Sequence, residues 1–285
     1  MDEKTNILVI GSKGLVGTAL MHSLSKKYIN VYGETHQGIE IRNQLQTAEV
    51  INLINPDIVY LCAALTHVDY CEEHEELSNE FNLVGPTNVI DVCGKKRIVV
   101  FYSSSYVFDG TLTGRGYLPN DRTNPLGVYG KHKAIMEKRV MDANPKNLVI
   151  RTVGVIGKEE KQKNFGYQVL GAQKIGRTIY VPLDQEMNPV LSDDLATVSI
   201  KLVEMGASGI HHVAGNVCKS KFELATDIVK AAHGKTGYIV GKMTEDMEQK
   251  ALRPLNGCLD VEGLTALGLK VPDYNYMIMR FLSDY

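Results

Sequence analysis

The chain has 285 residues, 44% hydrophobic and 22% charged, enough for one large domain or a domain with a smaller lobe around a sizeable core. Its formal net charge of −2 excludes the basic field with which a protein holds nucleic acid or an anionic membrane surface. No apolar stretch approaches the ~18 residues needed to span a bilayer, and the charged Met1–Asn6 segment is unlike a signal peptide, so the expected compartment is the cytoplasm.

The first half alternates short apolar runs with helical patterns. NILVIG (6–11) predicts a strand ending in glycine, and an amphipathic helix follows from Leu15 to Lys26. The motif GSKGLVG places Gly11, Gly14 and Gly17 between them. Glycines there permit a tight turn and close backbone approach, and the helix start adds free N–H groups and a positive dipole end. That is the chemistry of a dinucleotide pyrophosphate site, and it nominates Gly11, Lys13, Gly14, Leu15, Val16 and Gly17 for cofactor binding.

INVYGE (29–34) predicts the second strand. An acidic residue at its end would hold the ribose 2′-OH of NAD, whereas basic or small polar groups admit the 2′-phosphate of NADP. Glu34 suits the first and Thr35 and His36 the second, so NAD and NADP both stay open. A helix over 45–55 stops at Pro56, and DIVYLCAAL (57–65) is a third, fully apolar strand. A long helical pattern over about 72–93 carries Pro86 as a kink or restart. RIVVFYSSS (97–105) is the fourth strand and NLVIRTV (147–153) the fifth. Apolar strands alternating with helices predict an α/β, Rossmann-like, doubly wound parallel sheet over residues 1–153.

Between the last two strands lies VYGKHKAIME (128–137), with Tyr129 and Lys133 four apart and so on one helix face. In a parallel sheet the carboxyl ends of the strands face the ligand crevice, so Ser104 and Tyr129 are expected to meet there. A ketone receiving hydride builds negative charge on its oxygen, which needs a hydrogen-bond donor and then a proton. Tyrosine's ordinary pKa of ~10 is high for that task, and a neighbouring lysine cation would lower it. The expectation is therefore Tyr129 as proton donor, Lys133 as its tuning cation and ribose anchor, and Ser104 as the carbonyl-polarising hydroxyl.

After residue 154 the rhythm breaks. Residues 155–191 are rich in Gly, Lys and Gln; a helix is predicted over 192–206, a strand over 209–215 and another helix over about 220–233. Residues 154–285 are expected to complete the core and form a smaller C-terminal substrate lobe. Cys62, Cys71, Cys93, Cys218 and Cys258 lack metal-like spacing, the histidines are scattered, and five reduced thiols with no metal site are expected.

Taken together these motifs resemble the extended short-chain dehydrogenase/reductase superfamily and, more closely, the dTDP-4-dehydrorhamnose reductase family of sugar-nucleotide reductases. PDIVYLCAALTHVDYCE, NLVGPTN, SSSYVFDG, DRTNPLGVYGKHK, LDQEMNPVLSDDLA and RPLNGCLD match that family's segments in order, over nearly the whole chain. The resemblance implies cofactor contacts from Glu40 and Ile41 (adenine), Cys62, Ala63, Ala64, Thr66 and Asn82. It implies substrate contacts from Val68, Asp69, Ser104, Ser105, Tyr106, Phe108, Asn164, Phe165, Asp184 and Arg253. The substrate would be a nucleotide-linked 4-keto-6-deoxy sugar, and the assembly a homodimer.

Three stretches depart from the family's text. Its R-T-S-W reads Arg151-Thr152-Val153-Gly154 here, in a chain without tryptophan; Ser105 replaces an aspartate; and Met187 replaces a glycine. The catalytic parts match while the sugar pocket differs. Two alternatives remain in view: a sugar-nucleotide epimerase with bound NAD, and a non-catalytic nucleotide-binding subunit similar to the methionine adenosyltransferase β subunit. Ser105-Tyr106 in place of an Asp-Glu pair counts against a dehydratase.

Overall fold

A computed structural model describes residues 1–233 and 236–285. Strand β1 spans Ile7–Ile10, helix α1 Leu15–Leu24, β2 Val31–Glu34, α2 Gln44–Ile54 and β3 Ile58–Leu61. Helices α3 (Val68–Glu73) and α4 (Glu75–Asn79) lead through a π turn at Glu80–Val84 into α5 (Gly85–Cys93). Then come β4 (Ile98–Ser104), α6 (Val128–Ala143) and β5 (Leu148–Thr152). Beyond β5 lie β6 (Val155–Ile156), α7 (Phe165–Lys174), β7 (Ile179–Pro182), β8 (Glu186–Met187) and β9 (Val190–Leu191). They are followed by α8 (Ser192–Glu204), β10 (Gly209–His212), β11 (Lys219–Ser220) and α9 (Lys221–His233). Strand β12 (Ile239–Lys242) and helices α10 (Glu262–Ala266) and α11 (Tyr274–Asp284) come last.

Six parallel strands form the central sheet in the order β10-β5-β4-β3-β1-β2. Alternation along each strand divides its side chains between two layers. Ile7, Val9, Ile58, Tyr60, Val100, Tyr102, Leu148 and Ile150 pack with Leu20 and Leu24 of α1 and Leu195 and Leu202 of α8. Leu8, Ile10, Val59, Leu61, Val99, Phe101 and Val149 face the other way, onto Ile51, Ile90, Met136 and Val140 of α2, α5 and α6. This is a doubly wound sheet. Helix α8 and edge strand β10 join it from beyond residue 154.

The expected long helix at 72–93 is broken rather than merely kinked. The Gly85 N–H bonds back to the Glu80 carbonyl in π spacing, and Pro86, which has no N–H to give, stands in the first turn of α5. The bulge turns Asn82 inward, where it is buried. Around the second half, Tyr167, Leu170, Leu224, Ile228, Met277 and Phe281 of α7, α9 and α11 form a separate apolar cluster with Val107 and Phe108. Helices α7 and α11 and the parallel pair β7/β12 were not anticipated from the sequence.

The expectation of five reduced thiols is corrected. Cys218 and Cys258 are joined as a disulfide, and Cys62, Cys71 and Cys93 are free. Pairing of both flanking segments with Glu186 brings the two cysteines together across 40 positions, through the β11/β8 register and a bridge to Asn256. No helix among the described residues is long and apolar enough to cross a membrane.

Candidate active site

The carboxyl ends of β1, β3, β4 and β5 open onto a cleft of about 520 Å³. At its β1 end, Gly11 adopts φ +89°, and the N–H groups of Gly11 and Ser12 donate to the Glu34 carbonyl at 2.8 and 3.0 Å. A Cβ on Gly17 would stand 2.1 Å from the Gly11 carbonyl oxygen, so only glycine lets α1 press this closely on the turn. Gly14 is the N-cap, and Leu15, Val16 and Gly17 supply the first-turn N–H groups that an α-helix leaves unpaired. Those residues line the cleft, as a pyrophosphate cradle requires. The turn thus fits a dinucleotide.

The opposite wall is built by β4 and α6. Strand β4 ends at Ser104, whose hydroxyl accepts the Tyr106 N–H as the chain enters a 3-10 turn at Ser105–Val107. Gly130 faces the Tyr106 carbonyl so closely that a Cβ would lie 2.1 Å from its oxygen. This close approach seats Tyr129 beside Ser104, and both line the cleft. Glu72 of α3 fixes the start of α6 by accepting the Val128 N–H at 2.9 Å. One turn on, the Lys133 ammonium donates to the Tyr102 carbonyl at 2.8 Å and lies 4.6 Å from the Phe101 ring centre and 5.7 Å from that of Tyr129.

Burial dominates the electrostatics of this group. It raises Tyr129 above the ordinary tyrosine value, aided by the Cys71 thiol and the Tyr106 phenol, while the Ser104 hydroxyl opposes it. Burial likewise lowers Lys133 to about 8, with Cys62, Glu137 and Cys71 partly restoring it. Lys133 is not among the groups that shift Tyr129, so the expected lowering is not found and desolvation sets the direction. The phenol stays protonated at neutral pH, which is the state a proton donor needs.

Behind the cleft lies a charged network that sequence reasoning missed. Glu137 accepts from Arg151 Nε and Nη2 at 2.8 and 2.7 Å and from the Ser103 hydroxyl at 2.5 Å, all buried. Arg151 Nη1 donates to the Pro119 carbonyl at 3.0 Å and approaches His212 Nε2 at 3.4 Å. His212 is held down to about 3 by burial, with Arg151 adding to the effect. Glu137 follows Lys133 by four on the same helix face, and that spacing was the available signal. Thr152, quoted only as part of a motif, lines the cleft with a buried hydroxyl that has no protein partner.

Of the sequence-predicted residues, Gly14, Leu15, Val16, Gly17, Cys62, Ala64, Thr66, Val68, Ser104, Tyr106, Tyr129, Lys133, Asn164 and Phe165 converge on the cleft. Gly11 backs against Ala63, one layer behind. Asn82 braces the loop after β3 through paired hydrogen bonds with the Leu65 N–H and carbonyl, each 2.9 Å. Lys13 is exposed on the glycine turn. Thr35 and His36 lie in the turn after β2, where the Thr35 hydroxyl accepts the Gln37 N–H. Glu40 is engaged by Arg42 at 2.8 Å, a pairing that holds its carboxyl below the usual range, and Ile41 is buried against Gly85. Ser105 is fully buried, its hydroxyl without a protein partner.

Four expected substrate contacts sit differently. Phe108 is wholly buried and stacks on Tyr117 at 4.1 Å, because the turn after β4 directs it into the lobe core. Asp184 bonds the Thr244 N–H and hydroxyl, drawn there by the pairing of β7 with β12. Asp69 and Arg253 take each other in a double hydrogen bond, both contacts 2.8 Å, beside the cleft rather than in its wall.

The RmlD substrate binding domain family matches residues 5–285. The dTDP-4-dehydrorhamnose reductase of Salmonella typhimurium is 33% identical over 299 residues, spanning 98% of this chain and 97% of that one. The methionine adenosyltransferase 2 subunit beta of Xenopus laevis is 28% identical over 277 residues, 92% of this chain and 82% of that one. Among solved structures, dTDP-4-dehydrorhamnose reductase from Bacillus anthracis in complex with NADP superposes with a TM-score of 0.92. It is 26% identical, with 99% of this chain and 100% of that one covered.

Proposed function

The chain belongs to the RmlD substrate binding domain family, and from that premise we propose that it is an NAD(P)-dependent reductase of a nucleotide-linked 4-keto-6-deoxy sugar. The observation that carries the reading is the convergence of Ser104, Tyr129 and Lys133 on one cleft with the glycine turn. When bound, the dinucleotide supplies hydride to the keto carbon. The chain's part is to hold that carbonyl and protonate its oxygen. Ser104 donates a hydrogen bond to the oxygen as charge develops, and Tyr129 gives up its phenolic proton to leave a hydroxyl. Lys133 offers its remaining donors to the ribose hydroxyls.

In this reading residues 1–153 bind the dinucleotide, and residues 154–285 complete the sheet and form the substrate lobe. The enzyme would work in the cytoplasm, and the resemblance carries over a homodimer. The test follows oxidation of NADH and NADPH with dTDP-, UDP-, GDP- and CDP-linked 4-keto-6-deoxy sugars. Turnover with at least one supports the proposal. A dinucleotide that binds without turnover on any of them would instead favour the regulatory-subunit reading, for which the methionine adenosyltransferase relative is the precedent.

A further inference from the structure

We propose that Cys218, Cys258 and Glu186 form a redox-gated binding site for a thiophilic divalent cation of the Zn²⁺ class. The bonded cysteines are its closed state, and the reduced pair together with Glu186 is its cation-binding state. The inference goes beyond the reductase reading and needs neither dinucleotide nor sugar.

Three backbone segments bring the ligands together around Glu186. Ser220 of β11 pairs with it antiparallel, and Asn256 is bridged to it in parallel. The Glu186 N–H donates to the Leu255 carbonyl at 2.7 Å, and the Glu186 carbonyl accepts the Gly257 N–H at 2.9 Å. The Cys258 N–H is fixed in turn by Asn256 Oδ1 at 2.9 Å. Both sulfurs and a Glu186 carboxylate oxygen then fall within 4.8 Å of one another. Lys219, on the facing strand, spends its ammonium on Asp227 at 2.8 Å. Two thiolates beside a carboxylate repel one another unless a cation lies between them. They are the donors of a tetrahedral zinc site whose fourth position is left to water, and sulfur selects such an ion over Mg²⁺.

Access sets the order of events. Cys258 is almost fully buried, whereas Cys218 and Glu186 are exposed. A dithiol reductant opens the bond by thiolate attack on the exposed Cys218 sulfur, from which Cys258 leaves as a thiolate. The reductant then closes to its own disulfide and releases Cys218, so the pair has gained two electrons and two protons. The entering cation displaces both protons to solvent. Met187, beside Glu186, packs toward Gly154, and Gly257, beside Cys258, packs toward Ser105. The site therefore stands one layer behind the cleft.

The test titrates Co²⁺, and then competing Zn²⁺, into the full chain after reduction and anaerobic removal of the reductant. Binding is read from the thiolate-to-cobalt charge-transfer absorbance, which ligands without sulfur do not give. The expected result is saturable Co²⁺ binding by the reduced chain, displaced by Zn²⁺, and none by the chain oxidised at this pair. Cys218→Ser should abolish tight binding. Glu186→Gln, an exposed change, should keep the fold and weaken binding about tenfold or more. Absence of the band in the reduced chain overturns the inference. Binding as tight as that of the wild type in Cys218→Ser, in Glu186→Gln or in the oxidised chain overturns it as well.

Discussion

Met187 Sδ stands 2.6 Å from the point a Cβ on Gly154 would occupy. Gly154 lines the cleft at φ +57°, and Met187 is almost fully buried on β8, outside the central sheet. The resembled family pattern carries a tryptophan at the first position and a glycine at the second. Here the bulk arrives from the opposite element. The space beside Gly154 is thus filled by an exchange of large and small residues.

Coupling between the two positions follows. Gly154→Ala should cost about 1–3 kcal/mol by overpacking against Met187, plus about 1–2 kcal/mol for a left-handed backbone. In the Met187→Gly background most of the steric part should disappear, leaving the Pro189 Cβ contact at 3.2 Å and the backbone part. Denaturant midpoints of the four proteins give the interaction term, and strict additivity would refute the exchange. Met187→Gly alone should also change the ranking of kcat/KM across nucleotide-linked sugars.

The Glu137–Arg151 pair makes a second prediction. Arg151→Met leaves a buried carboxylate with only the Ser103 hydroxyl, and the loss should be about 3–5 kcal/mol. Glu137→Gln combined with Arg151→Met removes both charges and should recover much of it. Urea unfolding of the single and double variants decides the point, and equal losses in both would contradict it.

The pH profile of the reduction tests Lys133. Its lowered value of about 8 means that the ammonium is charged below that pH and neutral above it. Tyr129, raised by burial, keeps its proton through the same range. Thus kcat/KM should be level on the acid side of about 8 and fall as pH rises through it. A profile that rises there contradicts the assigned roles.

Thiol counting tests the Cys218–Cys258 bond. Unfolded without reductant, the chain should expose three titratable thiols, and after reduction five. Five thiols before reduction would show that the pair is not bonded.

What could be read in the sequence was local. Ile7, Val9 and their neighbours in β3, β4 and β5 announce a buried parallel sheet by composition alone, and the glycine turn and the Tyr129/Lys133 spacing are short-range patterns. The lobe is different. Helix α7 depends on contacts such as Phe281 against Gly166, where a Cβ would come within 2.6 Å of the ring. No periodicity in FGYQVLGAQK forecasts a partner so distant. Asp69 and Arg253 are 184 positions apart, and each is an ordinary surface charge until the fold pairs them. The resemblance nominates Phe108 for the substrate, yet the turn after β4 sends it into the lobe core. Desolvation at Tyr129 likewise belongs to the folded cleft and not to its local text.

The most direct test of the account is the rate at which Tyr129→Phe oxidises reduced dinucleotide with an accepted keto-sugar nucleotide. Loss of the proton donor should slow the reaction by about 10²- to 10⁴-fold while the dissociation constant for the dinucleotide stays at the wild-type value. Oxidation at the wild-type rate would contradict the assignment of Tyr129 as the proton donor, and with it the central claim.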